Sequence, residues 1–425
     1  MTSPTGLLTD QYELTMLAAA LRDGSAERAC VFEAFARRLP DGRRYGVVAG
    51  TGRLLEAILD FRFAPEQLSW LAARGIVDEP TRAWLADYRF RGSVRGYAEG
   101  ELYFPGSPVL TVTGTFAEAV VLETLVLSVL NHDCAIASAA ARMVTAAGSR
   151  PIIEMGSRRT HEEAAIASAR AAYLAGFAGT SNLAAGLRYG VPTLGTAAHA
   201  FTLLHRTEAE AFEAQLATLG ADTTLLVDTY DISQGIRTAV AVAGPELGAI
   251  RIDSGDLAVL TVQARELLDS LGATKTRIVL SGDLDEYAIA SLAAAPVDSY
   301  GAGTALVTGS GAPTAGMVYK LVEVDGRPVA KRSEHKGTVG GAKTAFRRHK
   351  ATGTATEEVL TSGPPPAPAP GDRPLQVPLL VDGAPARQPT LTESRERLSA
   401  ALVTLPWEGL KLSRGEPAIP TVYLT

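Results

Sequence analysis

Residues 250–256 have the sequence Ile-Arg-Ile-Asp-Ser-Gly-Asp, a short apolar run that ends in polar residues and a glycine. The same pattern occurs in five further runs, each followed by an alanine-rich amphipathic stretch, at 152–156, 191–196, 225–228, 278–283 and 300–304. This alternation predicts βα units. Six such units favour an α/β barrel, because barrel enzymes place their polar, reactive residues where the strands end. An open doubly wound sheet is the alternative topology.

The sequence before these units predicts an amphipathic helix over residues 9–21. Leu14, Leu17 and Leu21 fall on one stripe at the 3.6-residue spacing of a helix. Tyr12 lies about 200° from Leu14 around that helix, off the apolar stripe. We therefore expect Tyr12 to meet a subunit partner or a ligand rather than the core of its own helix.

The sequence after these units predicts a different kind of structure. Strand-like segments at 319–324 and 327–331 flank Asp325-Gly326, a strong signal for a β-hairpin. The proline-rich residues 363–374 predict a stiff, extended connector. A final helix is expected to begin with the capping pattern Thr390-x-x-Glu393.

The composition indicates a packed globular protein. Of 425 residues, 46% are hydrophobic and 20% charged, and the net charge of −6 leaves no overall basic field for nucleic acid or anionic lipid. Cys30 and Cys134 do not have zinc-site or disulfide spacing. The amino-terminal residues lack the features of a signal peptide, and the richest apolar stretch, 119–130, is shorter than the about 20 residues of a membrane span. We expect a cytoplasmic protein.

Three neighbouring strand ends combine glycine with hydroxyl or carboxylate groups, around Asp253, at 281–283 and at 301–304. Glycine lets backbone N–H groups approach a phosphate, and Ser and Thr add donors. The carboxylates suit Mg²⁺ that is bound to a polyphosphate, largely through water. The alternative is that each Ser-Gly-Asp is an ordinary βα turn with a helix cap.

Two further strand ends carry groups of chemical interest. Arg158 and Arg159 are suited to bidentate capture of phosphate or carboxylate, although they could equally form a solvated cluster with the glutamates that follow them. His199 comes shortly after the run at 191–196, where it could act as a nucleophile toward a phosphoryl donor. Gly50-x-Gly52 is a weak signal for NAD binding, because the third glycine of the dinucleotide fingerprint is missing.

Several motifs in order show a family resemblance. They are LLTDQYELTM (7–16), FEAFARRLP (32–40), EMGSRRTH (154–161), GTSN (179–182), GTAAHAF (195–201), IRIDSGDL (250–257), SGDLDE (281–286) and YGAGT (300–304). Together they resemble the nicotinate phosphoribosyltransferase family over about residues 7–324, and more loosely beyond. The signature of the type I phosphoribosyltransferases is absent from the sequence.

The resemblance implies the fold and reaction of the type II phosphoribosyltransferases. It implies an irregular α/β barrel at 114–322 and a smaller α/β lobe built from 1–113 and 323–425. The implied enzyme is a head-to-tail homodimer whose active sites draw on both subunits. It joins nicotinate to 5-phosphoribosyl 1-pyrophosphate with Mg²⁺, releases pyrophosphate, and hydrolyses ATP, which makes it a carbon–nitrogen ligase of NAD salvage.

The resemblance also assigns the residues that contact the pyridine ring. Tyr12 matches a tyrosine that stacks on the ring from the partner subunit, and Thr196 and Arg251 match positions that contact nicotinate. Ser181 stands where the related nicotinamide enzyme has an aspartate, so it favours an anionic acid over the amide. Met155 replaces a second stacking aromatic of that relative.

The remaining assignments concern the phosphates and the ribose. His199 matches the histidine that ATP phosphorylates, and Arg158 and Asp253 match positions around the phosphate and ribose. Arg37 matches a residue that reaches across the dimer. The cradle for the 5′-phosphate is matched by Gly282, Gly303 and Thr304. No protein side chain is implied as a direct metal ligand, except that Asp253 is a candidate alongside the pyrophosphate oxygens.

Two alternatives remain open from the sequence. The first is a phosphoribosyltransferase of the same fold for nicotinamide, quinolinate or another heteroaromatic acid. The second is a noncatalytic phosphate-binding or nucleotide-binding regulator. The presence of Tyr12, His199 and Asp253 together with the phosphate loops argues against a pure binding protein, which has no use for a phosphorylatable histidine.

Overall fold

The computed structural model describes residues 5–331, 338–363, 367–387 and 389–424. The chain forms two compact units: the first combines the residues up to Ser138 with those from Ala312 onward, and the second is Ala139–Gly311. The two ends of the chain therefore build one unit together. The boundaries differ from the expected ones at 113/114 and 322/323.

The amino-terminal part contains six helices and five strands. They are α1 (Gln11–Asp23), β1 (Ala29–Ala36), β2 (Gly46–Val47), α2 (Thr51–Leu59), α3 (Pro65–Ala73), α4 (Glu79–Ala86), β3 (Ser93–Tyr97), β4 (Leu102–Tyr103), β5 (Leu110–Thr115), α5 (Phe116–Val120) and α6 (Glu123–Ala147).

The second unit alternates strands and helices. After the end of α6 they are β6 (Ile152–Glu154), α7 (Glu162–Leu174), β7 (Gly179–Thr180), α8 (Leu183–Tyr189), α9 (His199–Leu204), α10 (Glu208–Leu219), β8 (Thr224–Leu226), α11 (Ile232–Ala243), β9 (Ala249–Ile252), α12 (Leu257–Ser270), β10 (Arg277–Leu280), α13 (Glu286–Ser291), β11 (Ser299–Ala302), α14 (Thr304–Val307) and a 3₁₀ turn at Gly309–Gly311.

The carboxyl-terminal part is mainly β-structure. It contains β12 (Met317–Val324), β13 (Arg327–Pro328), β14 (Lys343–His349), β15 (Ala355–Ser362), β16 (Asp372–Pro374), β17 (Gln376–Val381), β18 (Ala384–Pro385), α15 (Leu391–Thr404), a 3₁₀ turn at Trp407–Leu410 and β19 (Thr421–Leu424).

The first unit is organised around a seven-stranded sheet in the order β13-β12-β1-β5-β3-β17-β18. β1 lies between β12 and β5 and is antiparallel to both. The boundaries expected at 113/114 and 322/323 fall within β5 and β12, and both of these strands pair with β1 in the same sheet. Helix α1 buries Leu14 and Leu17 while Tyr12 is 47% exposed, which confirms the predicted stripe.

The predictions for the carboxyl-terminal part are confirmed in two places. Asp325 and Gly326 join β12 to β13 with φ angles of 49° and 72°, as a tight hairpin requires. Thr390 caps α15 and forms the capping box with Glu393. The expected connector differs, because Asp372–Pro374 pairs with β14 as a strand; residues 364–366 lie outside the described part.

The longest helical stretch is strongly apolar. By length and composition Phe116–Ala147 could cross a membrane, and 67% of its most apolar window is buried inside the fold. Such burial is typical of a core helix, which passes the same compositional test. The two cysteines, Cys30 and Cys134, are buried as free thiols.

The second unit contains a parallel sheet in the order β7-β6-β11-β10-β9-β8. The predicted mixed α/β fold is confirmed, and this sheet is a half-barrel whose strands all end at the same edge. Five of the six predicted runs contain its strands. The run at 191–196 makes only a single bridge, from Thr193 to Thr180, because Pro192 has no N–H to extend the ladder. The edge strand of the sheet beside β6 is therefore β7, not the predicted run at 191–196.

A buried charge network in the first unit generates a stability prediction. Arg347, fully buried, donates to Glu101 and Glu358 at 2.7 Å each. Replacement of Glu358 by Gln leaves a buried guanidinium undercompensated, so we expect the free energy of unfolding to fall by about 3–5 kcal/mol. The matched control is Glu357→Gln on the same strand, whose partner Arg348 is 38% exposed; its cost should stay below about 1 kcal/mol.

The measurement is urea unfolding of the wild-type protein and both variants, followed by circular dichroism. Equal midpoints for the two variants would show that the buried network does not hold the lobe together.

Candidate active site

The carboxyl edge of the parallel sheet forms a cavity of about 230 Å³. Its walls come from the ends of β6, β9, β10 and β11, so strands distant in sequence converge on it. The cavity is lined by Met155, Arg158, Arg159, Arg251, Asp253, Ser281, Gly282, Asp283, Gly301, Gly303 and Thr304. Six of the sequence-predicted site residues are among them: Arg158, Arg251, Asp253, Gly282, Gly303 and Thr304.

Arg251 is held in one orientation by its neighbours. Its Nε donates to Ser281 Oγ at 2.6 Å and its Nη2 to Asp253 Oδ1 at 2.9 Å. Its Nη1 donates to Thr196 Oγ1 at 3.2 Å. The side chain is only 11% exposed. Nη1 also contacts the Ala197 carbonyl at 3.5 Å. These contacts fix the direction of the guanidinium, leave one Nη2 hydrogen for an anionic group, and bring the predicted Thr196 and Arg251 together.

Asp253 is part of the same network. The Ser281 hydroxyl donates to Asp253 Oδ1 at 2.5 Å, next to the Arg251 contact. Burial by itself raises the pKa of Asp253, but the hydrogen bonds from Ser281 and Arg251 outweigh it, so the pKa lies below its usual value. Asp253 is therefore ionised at neutral pH.

Asp228, at the end of the run that contains β8, lies beneath this network. Its Oδ2 accepts from the Asp253 backbone N–H at 2.8 Å and from Ser254 Oγ at 3.0 Å. Its side chain is 1% exposed and lies 3.8 Å, Oδ1 to Nε2, from His199. The same Oδ1 is buried without a hydrogen-bond partner. A buried acceptor of this kind is costly unless another group uses it.

His199 begins α9 and is partly open to solvent. Its side chain is 42% exposed, and Nδ1 lies 3.2 Å from Thr229 Oγ1. Asp228 therefore faces one ring nitrogen and Thr229 the other. This arrangement orients the imidazole while leaving it accessible, which suits a group that exchanges a proton or a phosphoryl group with a bound molecule.

The glycines at the strand ends allow the backbone to come close to other groups. Gly282 has φ +126°, and a Cβ there would lie 2.8 Å from the Asp253 carbonyl oxygen. A Cβ on Gly301 would lie 2.7 Å from Met155 Sδ. A Cβ at either position would clash with these neighbours, which is why glycine is needed there.

Glu154 ties the ends of β6 and β7 together. Its carboxylate accepts from the Gly156 N–H and from the Thr180 hydroxyl. Burial raises the pKa of Glu154, although both of these hydrogen bonds act to lower it. Ser181 follows Thr180 and is exposed, while its backbone N–H donates to the Glu154 carbonyl at 2.8 Å.

Arg158 and Arg159 are both exposed and face the cavity. The glutamates that follow them have other neighbours: Glu162 lies 3.6 Å from His161 and Glu163 lies 3.9 Å from Arg188. The geometry therefore favours the arginines as anion-binding groups over the salt-bridge alternative.

Two predicted site residues, Tyr12 and Arg37, belong to the first unit. Tyr12 is half exposed on α1, and burial together with the charges of Glu123, Glu13 and Asp10 raises its pKa to about 12. Arg37 follows β1 and lines a separate cavity of the first unit. Neither residue lines the cavity at the sheet edge.

The Gly50 motif does not form a phosphate site. The Gly50 N–H donates to Glu99 Oε1 at 2.6 Å, and a Cβ on Gly50 would lie 2.6 Å from Asp133 Oδ2. Two carboxylates at this position repel a dinucleotide phosphate, so the weak NAD signal was wrong.

The comparisons with known proteins agree with these motifs. Family models match residues 7–131, as the nicotinate phosphoribosyltransferase N-terminal domain, and residues 151–354, as the nicotinate phosphoribosyltransferase family. The nicotinate phosphoribosyltransferase pncB1 of Mycobacterium tuberculosis is 65% identical over 98% of this chain and 95% of that protein. The chain belongs to the nicotinate phosphoribosyltransferase family.

Other members of the family are more distant. The nicotinate phosphoribosyltransferase of Bacillus subtilis is 39% identical over 80% of this chain and 72% of that protein. The crystal structure of human nicotinic acid phosphoribosyltransferase has a TM-score of 0.85 at 28% identity and covers 96% of both chains. The fold of the nicotinate phosphoribosyltransferases therefore extends over almost the whole chain.

Two polar residues of this cavity network were not predicted from the sequence. Asp228 ends one of the predicted runs, yet it received no role, because nothing local shows that its carboxylate turns inward. Ser281 was treated only as a phosphate-loop donor, whereas its hydroxyl bridges Arg251 and Asp253. Their position in the sequence could have indicated both residues, because each lies just after a strand of the same parallel sheet.

The bridge generates a prediction about Asp253. We expect Ser281→Ala to raise the pKa of Asp253, since the substitution removes the hydrogen bond that lowers it most. The measurement is a pH titration of the ¹³Cγ resonances of aspartate-labelled protein. Ser254→Ala is the matched control, because Ser254 donates to Asp228 instead. An unchanged Asp253 titration in Ser281→Ala would contradict the bridging role.

Proposed function

We propose that this chain joins nicotinate to 5-phosphoribosyl 1-pyrophosphate, giving nicotinate mononucleotide and pyrophosphate in NAD salvage, and that it couples this reaction to ATP hydrolysis through phosphorylated His199. The observation that carries the proposal is the oriented Arg251 guanidinium at the mouth of a glycine-lined cavity with two further arginines. We propose a cytoplasmic location, since the family membership is that of a metabolic enzyme.

The phosphate groups of the donor fit the glycine side of the cavity. Gly282, Gly303 and Thr304 offer backbone N–H groups and a hydroxyl at the ends of β10 and β11 for the 5′-phosphate. Arg158 and Arg159 supply positive charge on the side of β6, for the pyrophosphate. Anionic groups are thereby held from two sides, which orients the ribose between them.

The carboxylate of nicotinate fits the oriented arginine. Arg251 presents a fixed guanidinium, and Thr196 adds a hydroxyl that lies 3.2 Å from it. An anion gains more from a guanidinium than a neutral amide does. Ser181, in place of an aspartate, leaves no negative charge to repel the acid. Met155 packs beside Gly301 and offers an apolar surface to the ring.

Mg²⁺ is compatible with the same residues. Among the described residues no group of three or more His, Cys, Asp or Glu side chains could hold a metal ion by itself. Asp253 and Asp283 both line the cavity, and Mg²⁺ commonly binds through one or two carboxylates together with substrate phosphates and water. Bound there, the ion would neutralise charge that develops on the leaving pyrophosphate.

The reaction depends on positioning and charge. An oxocarbenium-like ribosyl group is stabilised by anions near C1, and Asp253 is an ionised carboxylate at neutral pH. Arg158 and Arg159 favour departure of the negatively charged pyrophosphate. The ring nitrogen of nicotinate is itself the nucleophile, so no strong protein base is required.

The role proposed for His199 follows from its two neighbours. Asp228 faces Nε2 and favours a proton on that nitrogen, so Nδ1 carries the lone pair and accepts from the Thr229 hydroxyl. The Thr229 hydroxyl lies 3.2 Å from Nδ1. It therefore occupies the place beside Nδ1 that the phosphoryl group would take. When that hydroxyl turns away, the Nδ1 lone pair attacks the γ-phosphorus of ATP and ADP leaves. The phosphorylated imidazole then adds negative charge beside the Asp253 network. Attack of water on its phosphorus breaks the N–P bond, releases phosphate and restores His199 for the next cycle.

Tyr12 and Arg37 are proposed to serve the active site of a partner subunit in a homodimer. The Tyr12 ring is 47% exposed on a face of α1 that the core does not use. An exposed ring of this kind suits stacking on a flat heterocycle. The family membership supports an assembly in which the lobe of one chain completes the site of another.

The test of the proposed reaction is product formation from labelled phosphoribosyl pyrophosphate and Mg²⁺, with nicotinate, nicotinamide or quinolinate offered separately, each with and without ATP. We expect nicotinate mononucleotide to form preferentially and ATP to stimulate it. Preferential use of another heterocycle would replace the substrate assignment. Binding of the donor without any product would favour the noncatalytic alternative.

The coupling role of His199 has its own test. We expect His199→Ala to lose ATP stimulation and the ATP-dependent phosphoenzyme, while slow ATP-independent transfer remains. Asp228→Asn should reduce phosphorylation by about 10-fold to 1000-fold, because the amide keeps the backbone contact but loses the charge that orients His199. His205→Ala is the control, since its ring hydrogen-bonds the Phe201 carbonyl and contacts the Phe201 ring. ATP stimulation in His199→Ala equal to wild type would remove the phosphohistidine from the mechanism.

A further inference from the structure

We propose that a chain of three side chains, the buried Arg142 and Glu286 and the half-buried Ser310, positions the two glycine loops at 281–283 and 301–304 for the phosphoribosyl donor. The inference rests on the proposed function of these loops. It assigns positioning residues that lie outside the cavity itself and act through the backbone that follows each loop.

The three side chains form a continuous path. Arg142 Nε donates to Glu286 Oε1 at 2.9 Å, and their side chains are 5% and 2% exposed. Ser310 Oγ donates to the other carboxylate oxygen, Oε2, at 2.6 Å. One carboxylate therefore joins the end of the long helix α6 to the turn that follows α14.

Glu286 and Ser310 lie just beyond the two loops along the chain. Glu286 is the first residue of α13, three residues after Asp283. Ser310 lies in the 3₁₀ turn that follows α14, and α14 begins at Thr304. The pairing of β10 with β11 places the two loops side by side. The Glu286–Ser310 bond then ties together the segments that follow them.

The turn at Ser310 has an unusual backbone. Gly309, Ser310 and Gly311 have φ angles of 63°, 49° and 82°, so three consecutive residues are left-handed. Glycine adopts this conformation without strain, whereas serine does not. Ser310 therefore carries a backbone strain energy that a glycine at this position would not have. Strained backbone of this kind is commonly found at functional sites.

The hydrogen bond to Glu286 is the feature that a glycine would lose. A buried ion pair such as Arg142–Glu286 adds little net stability compared with apolar packing. What it supplies is a fixed direction for the carboxylate. The hydrogen bond from Ser310 to this carboxylate orients the end of α14. Val307, the last residue of α14, also packs closely against Gly156: a Cβ added to Gly156 would lie 2.3 Å from Val307 Cγ1.

Ser310→Gly separates the positioning role from a structural one. The substitution relieves the left-handed strain, so we expect the thermal unfolding midpoint to stay level or rise. It also removes the bond to Glu286, so we expect the affinity for phosphoribosyl pyrophosphate to fall by about tenfold through misplacement of the loops. The Kd for nicotinate should not change, because Arg251 and Thr196 lie on other elements.

The experiment is isothermal titration calorimetry of wild-type and variant protein with phosphoribosyl pyrophosphate and Mg²⁺, and separately with nicotinate. Asp382→Gly is the matched control: Asp382 has φ 48° in the turn between β17 and β18, and its Oδ1 accepts a hydrogen bond from Ser93 Oγ at 3.4 Å. This control should relieve similar strain and leave both affinities unchanged.

The outcomes separate the inference from the proposed function. Equal donor affinity in wild type and Ser310→Gly overturns the positioning role. Weaker binding of both ligands with a lowered unfolding midpoint also overturns it, because that result indicates general loss of structure. A wild-type protein that binds no phosphoribosyl pyrophosphate refutes the proposed function itself, and with it the basis of the inference.

Discussion

The hydroxyl of Ser281 holds opposite charges together at the end of the parallel sheet. It accepts from Arg251 Nε and donates to Asp253 Oδ1, so one small side chain sets the position of a cation and an anion. This is only achieved because β9 and β10 are parallel and in register, with Ile252 beside Leu280. A slip by one residue would turn Ser281 away from both groups.

Buried carboxylates act as hydrogen-bond acceptors at several places along this edge of the sheet. Asp228 accepts from the backbone of Asp253, Glu154 from the backbone of Gly156, and Glu286 from the hydroxyl of Ser310. A charged acceptor makes a strong hydrogen bond in surroundings that exclude water, and it is costly to leave unpaired. Each of these strand ends is thereby held in place, so flexible glycine residues can line the cavity without loss of order.

Much of the local structure follows from patterns near each residue. The stripe of α1, the Asp325-Gly326 hairpin and the Thr390 cap depend on residues within one or two turns of each other. The expectations that differ involve distant partners. The boundary expected at 113/114 falls inside β5, which pairs with β1, and Asp372–Pro374 becomes a strand because β14 lies beside it. Sequence neighbours carry no information about either pairing.

The amino-acid sequence by itself determined the βα alternation, the place of the polar groups at strand ends and the family resemblance, because periodicity, turn chemistry and motif order are local properties. It named Arg251, Asp253 and His199 as members of one site. Only the tertiary structure decided that Asp228 turns inward beneath them and that Ser281 bridges two charges. Which side chains meet depends on the register and curvature of a sheet whose strands are far apart in the chain, and no local pattern encodes that geometry.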